Sequence, residues 1–137
     1  MFNNEIEAAN RAEATALLIR AGYRVYRPEA DCDGEDLLVR TPSGEFLPVQ
    51  LKSRLTVDKK KYGNRSLWML FPRSPFSVGV IRKWFLVPHD EFYKWIEGRH
   101  GHTDKWNELW NSDTVGKTDA VFLEKYEVGW TQKPQTA

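Results

Sequence analysis

The segment from Asp36 to Lys52, DLLVRTPSGEFLPVQLK, puts an acid at the head of one apolar run and a Gln-Leu-Lys triplet at the end of the next. Pro42-Ser43-Gly44 lies between them and favours a tight turn, so residues 36–54 read as a hairpin. Pro48 has no amide hydrogen, which places the early part of the returning strand at a bulge or with its amide side facing outward.

The flanking sequence extends this into an α/β order. Ile6, Ala9, Ala12, Ala16, Leu17, Ile19 and Ala21 recur largely in steps of three and four, and Gly22 follows as a C-cap, which predicts a helix over 5–21. YRVYRP alternates Tyr23 and Val25 against Arg24 and Tyr26 and stops at Pro28, as a strand of about five residues would. EADCDGED is an acidic loop. After a basic stretch, SLWMLF and VGVIRKWFLVP predict a further strand pair, and Phe92, Trp95 and Ile96 share one face of a helix that opens at His89-Asp90 and stops at Gly98. Residues 99–117 are polar and predict a loop-dominated insertion or short helix pinned by Trp106, Leu109 and Trp110. A last helix is expected around Ala120 to Tyr126. The order suits an α/β class domain with a mixed sheet flanked by helices. A chain of 137 residues fits one domain, here 1–130, with a core over about 5–96, a C-terminal addition at 97–130 and a fraying tail at 131–137.

Composition narrows the function classes. With 41% apolar and 28% charged residues the chain lies outside the disordered class, and a net charge of +1 neither demands nor excludes a nucleic-acid partner. Cys32 is the only cysteine, so an intrachain disulfide is impossible, and His89, His100 and His102 form no zinc spacing with it. No leader-like N-terminus and no apolar run of about 18 residues is present, so a soluble, cytoplasmic protein is expected.

Residues two apart on a strand share a face, so Gln50 and Lys52 point the same way and a strand-end Asp36 can meet them across the hairpin. A carboxylate, an amide or backbone oxygen and several waters form a lean magnesium shell. A lysine beside it can orient water and offset phosphate charge. A second carboxylate would help. Glu5, Glu7 and Glu13 on the first helix compete for that place, and Glu13, bracketed by Ala9, Ala12, Ala16 and Leu17, is the expected one; the plain alternative is a salt bridge to Lys52 or to a basic residue elsewhere.

The run KSRLTVDKKKYGNR begins at this site and carries Arg54, Lys59, Lys60, Lys61 and Arg65, with Tyr62 available for stacking. It reads as a flexible nucleic-acid-binding loop, or as a solvated one. DCDGED lacks the spacing and final glutamate of a calcium loop.

In sequence order, a helix with an internal Glu, a strand, Gly34-Glu35-Asp36, a hairpin and apolar-Gln-x-Lys-Ser make the chain resemble the PD-(D/E)XK nuclease superfamily. The likeness is greatest to small members such as archaeal Holliday junction resolvases and related nuclease-like domains, and it covers about residues 5–96. It implies a restriction-endonuclease-like α-β-β-β-α-β core, Asp36 as the metal-binding aspartate, Lys52 as the catalytic lysine and Glu13 as the helix glutamate some branches add. Gln50 stands where the family has an acid, and Glu35-Asp36 replaces its Pro-Asp pair. The implied activity is hydrolysis of DNA, with RNA left open, using magnesium or manganese on Asp36, Gln50 and Glu13. The alternative is a catalytically silent nucleic-acid-binding module. Two-strand cutting and the aromatic surplus suggest a homodimer.

Overall fold

The computed structural model describes residues 2–30 and 36–129. Helix α1 (Asn3–Arg20) opens where the Glu5 carboxylate accepts the Phe2 N–H at 2.9 Å, and it ends before Gly22, whose φ of 92° turns the chain back. Strand β1 (Arg24–Tyr26), β2 (Leu37–Arg40) and β3 (Phe46–Leu51) then form an antiparallel meander, with Leu37 opposite Val49 and Arg40 opposite Phe46. The chain next makes β4 (Leu55–Asp58) and one helical turn, α2 (Lys59–Tyr62), before β5 (Trp68–Pro72) returns parallel to β3. Strand β6 (Trp84–Pro88) pairs antiparallel with β5 and leads into α3 (His89–His100), β7 (Leu109–Ser112), α4 (Lys117–Leu123) and a closing 3-10 turn, Glu124–Tyr126.

The five-stranded sheet runs β1-β2-β3-β5-β6, and β4 pairs with β7 in a separate two-stranded ribbon. Because side chains alternate along a strand, β5 and β6 sort their residues to opposite faces. Leu70, Trp84 and Leu86 join Leu37, Val39, Val49, Ala14 and Leu18 beneath α1. Met69, Phe71, Phe85 and Val87 face the other way, against Phe92, Tyr93 and Ile96 of α3, Leu55 and Val57 of β4, and Leu123. Each fully buried aliphatic or phenyl side chain contributes roughly 1.5–3 kcal/mol, so two separate apolar layers clamp the sheet. No helix among the described residues is long and apolar enough to cross a membrane.

Pro48 sits in mid-strand without breaking the ladder. Lys52 N–H bonds to Leu70 O on β5 at 2.9 Å, and amide directions alternate, so the Pro48 nitrogen also faces the β5 side. There β5 begins pairing only at Val49. The missing donor costs no ladder bond, as the outward-facing alternative requires.

Three expectations are corrected. The basic stretch after Lys52 is not a continuous loop: Leu55 and Val57 are buried, and the strand they form is completed by β7, which lies within the otherwise polar stretch 99–117. The apolar run from Val78 enters the sheet only at Trp84, leaving Val78, Val80 and Ile81 exposed in a loop. Gly98 does not stop α3, which continues to His100. The mid-helix glycine costs about 1 kcal/mol, less than burial of Phe92, Tyr93 and Ile96 supplies. The acidic loop around Cys32 and the tail after Gly129 lie outside the described residues.

Candidate functional site

The hairpin register decides where Asp36 meets its neighbours. Pairing of Leu37 with Val49 continues one step to Asp36 opposite Gln50, and Asp36 N–H bonds to Val49 O at 2.8 Å. Across that pair Gln50 Nε2 donates to Asp36 Oδ2 at 2.9 Å, and Leu51 N–H donates to the same oxygen at 3.0 Å. A side chain at a strand end is thereby held from two directions by its partner strand. Lys52 follows immediately, its backbone tied to β5.

These residues open into a cleft of about 460 Å³ where the hairpin meets the N-terminal half of α1. Glu7 and Arg11 line it from α1, Arg27 from the segment after β1, and Asp36, Gln50, Leu51 and Lys52 from the hairpin. Arg27 is steadied by a 3.1 Å hydrogen bond to Thr15. Two carboxylates, the amides of Asn10 and Gln50, and three cations share the cleft, so it can take an anion while keeping oxygen donors for a cation.

Glu13 is not among its lining residues. The carboxylate accepts Arg82 N–H at 2.7 Å through Oε2 and the Arg82 guanidinium at 2.7 Å through Oε1, while Arg82 also reaches Asn10 and Ser74 O. Burial works to raise the Glu13 pKa, but the hydrogen bonds from Arg82, the nearby Trp84 indole and the Arg82 charge together hold the carboxyl below its ordinary value. The salt-bridge alternative holds, and Glu7 occupies the place in the cleft. Helix periodicity explains the exchange. Asn10, Ala14 and Leu18 are the buried positions of α1, and Glu7 lies on that stripe one turn nearer the N-terminus, whereas Glu13 stands well off it. The small residues Ala9, Ala12 and Ala16 marked Glu13 as partly buried, which it is, but it is buried against Arg82 and outside the cleft. Arg11 and Arg27 carried no sequence signal, because only the fold brings them to the hairpin.

The basic stretch divides. Arg54 pairs with Asp113 at 2.9 Å and Lys59 with Glu108 at 3.7 Å, both ties across the ribbon, while Lys60, Lys61 and Arg65 are exposed. Tyr62 is only 2% exposed and lies in the core, so it offers no face on which a base can stack. The nitrogens of Lys52 and Lys61 stand 5.3 and 5.7 Å from its ring centroid. His89 is buried and accepts Asp58 N–H at Nε2, 3.0 Å away, which leaves its proton on Nδ1 beside Asp90. It is a fixed structural group and no base.

Neither protein-family models nor curated protein sequences match the chain. Its fold is similar to that of a bacterial homing endonuclease, I-Ssp6803I, with a TM-score of 0.53 over 91% of this chain and 94% of that one, at 16% identity. The elements run α1, β1, β2, β3, β4, α2, β5, so the expected α-β-β-β-α-β order carries an extra strand, β4, which pairs in the ribbon, and its second helix is a single turn.

The cleft's donors are hard. Glu7, Asp36, the Gln50 amide oxygen and the Leu51 carbonyl are oxygen ligands of the kind magnesium takes. Among the described residues no group of three His, Cys, Asp or Glu side chains is placed to hold a metal. Two carboxylates with neutral oxygens beside them are a donor set for an ion that keeps several waters.

Proposed function

We propose that the protein is a metal-dependent endonuclease of the PD-(D/E)XK type that hydrolyses DNA phosphodiester bonds in the Asp36–Lys52 cleft. The observation that supports this most is the convergence of Asp36, Gln50, Lys52 and Glu7 on one cleft in a fold similar to that of a homing endonuclease.

Asp36 and Glu7 would hold magnesium, or manganese in its place. Gln50 orients Asp36 through its nitrogen and keeps its oxygen as a further neutral donor. A metal bound there supplies Lewis acidity toward the phosphoryl oxygen and a more acidic bound water. Lys52 places a positive charge where negative charge grows on the phosphoryl oxygens and orients the attacking water. Arg11 and Arg27 grip phosphates flanking the scissile one, and Lys60, Lys61 and Arg65 extend that track outside the cleft without reading sequence. Cutting both strands of a duplex takes two such sites, which a homodimer supplies.

The test is cleavage of labelled four-way, flapped, single-stranded and linear duplex DNA, and of RNA, with magnesium or manganese, beside Lys52→Ala and a chelator control. Metal-dependent cutting that vanishes in the variant supports the reading and names the substrate. Binding without cutting by wild type would replace the endonuclease with a silent binding module, and would point to the neutral Gln50 as the cause.

A further inference from the structure

Lys52 stands one residue past the end of β3. Its backbone is fixed to Leu70 of β5, while its four-carbon stem is long and flexible. What its nitrogen meets is the ring of Tyr62, at 5.3 Å, inside the roughly 6 Å over which an aromatic face attracts a cation. The ring cannot retreat. It is 2% exposed, meets His89 edge-on at 5.8 Å, and His89 in turn stacks on Tyr93 at 6.0 Å. His89 also accepts the N–H of Asp58, the residue that caps the turn carrying Tyr62 and receives Lys61 N–H at 3.1 Å. Lys61 shares the same ring at 5.7 Å. Two like charges gathered on one aromatic side chain repel each other, and the negative face of the ring offsets that repulsion.

We propose that Tyr62 is a positioning residue for Lys52: its buried ring fixes the Lys52 ammonium at the cleft and ties it to the basic turn through Lys61. The consequence for catalysis rests on the nuclease reading above; the contact itself does not. Tyr62 thus acts through Lys52 and touches no substrate.

The test varies the ring's charge distribution and leaves its size nearly unchanged. Tyr62→Phe keeps the aromatic face and should retain kcat within about twofold. Trifluorophenylalanine at the same position withdraws electron density from that face and should lower kcat about three- to tenfold relative to phenylalanine, with KM and melting temperature little changed. Equal kcat for the two variants would overturn the proposal. A readout free of activity accompanies it: the Lys52 ε-methylene proton resonance should be shifted upfield by the ring current in wild type and in Tyr62→Phe. A random-coil position for that resonance in the wild-type protein would overturn the contact outright. A shifted Lys52 resonance in a protein that cuts none of the substrates refutes the nuclease reading alone and upholds the contact.

Discussion

Glu7 and Glu13 lie six residues apart on one helix and do opposite work. Glu13 is 13% exposed and meets an almost wholly buried Arg82, whose guanidinium also donates to Asn10 and Ser74 O. Glu7 is exposed at the mouth of a cleft it shares with Asp36, Gln50 and three cations. A buried carboxylate is tolerated only when its charge is matched, and once matched it has nothing left for a ligand. Functional acids are found where the fold leaves a carboxylate wet and beside another oxygen donor.

The largest expected effect falls on the cleft. Lys52→Ala should reduce cleavage by roughly 10³-fold, as loss of a group aimed at transition-state charge does, while DNA affinity and melting temperature stay close to wild type. A variant that also loses its folding transition would move Lys52 from the cleft's chemistry to the Glu13 kind of role.

Glu13→Gln should show the reverse: a loss of about 3 kcal/mol in denaturant unfolding at neutral pH, because Arg82 stays buried without its counter-charge. Any folded fraction should cut at the wild-type rate. The folded Glu13 pKa lies below its ordinary value, so its stabilisation is fully present above the unfolded pKa and is lost as pH falls through the depressed folded one. The gap between wild type and variant should therefore close in acid. A gap that widened there would refute the pairing.

Glu7→Gln should lower the cleavage rate about tenfold and raise the magnesium concentration needed, with the melting temperature within about 1 °C of wild type. If Glu13→Gln depressed cleavage more than Glu7→Gln in equally folded protein, the assignment of the two acids would be reversed.

The smallest effect is expected outside the cleft. Replacing exposed Lys60 and Lys61 by Ala should flatten the dependence of log Kobs on log salt by roughly 0.9 for each phosphate contact removed, measured by fluorescence anisotropy on duplex DNA. Arg54→Ala should change that slope less, since Asp113 already occupies its guanidinium.

The sequence alone determined the hairpin and what stands at its ends. A Pro-Ser-Gly turn between two apolar runs fixes the pairing partner, and period-two alternation fixes the faces, so Asp36 opposite Gln50 follows from local rules. The first helix, the meander and the β5-β6 pair were legible for the same reason: their patterns repeat over a few residues. Strand β4 and its ribbon were not legible, because half of the ribbon lies within an otherwise polar stretch some fifty residues away, and nothing local in Leu109–Ser112 announces a strand. The acid that enters the cleft was misjudged as well: the sequence pointed to Glu13, and Glu7 lines the cleft. The helix offers Glu5, Glu7 and Glu13 with similar propensities, and which face turns to the sheet depends on Leu18 and Ala14 meeting Val39, Val49 and Leu70. Tertiary packing made that choice, and with it placed Arg11 and Arg27 at the cleft and Tyr62 under Lys52, contacts between segments whose separation in the chain carries no periodic signal.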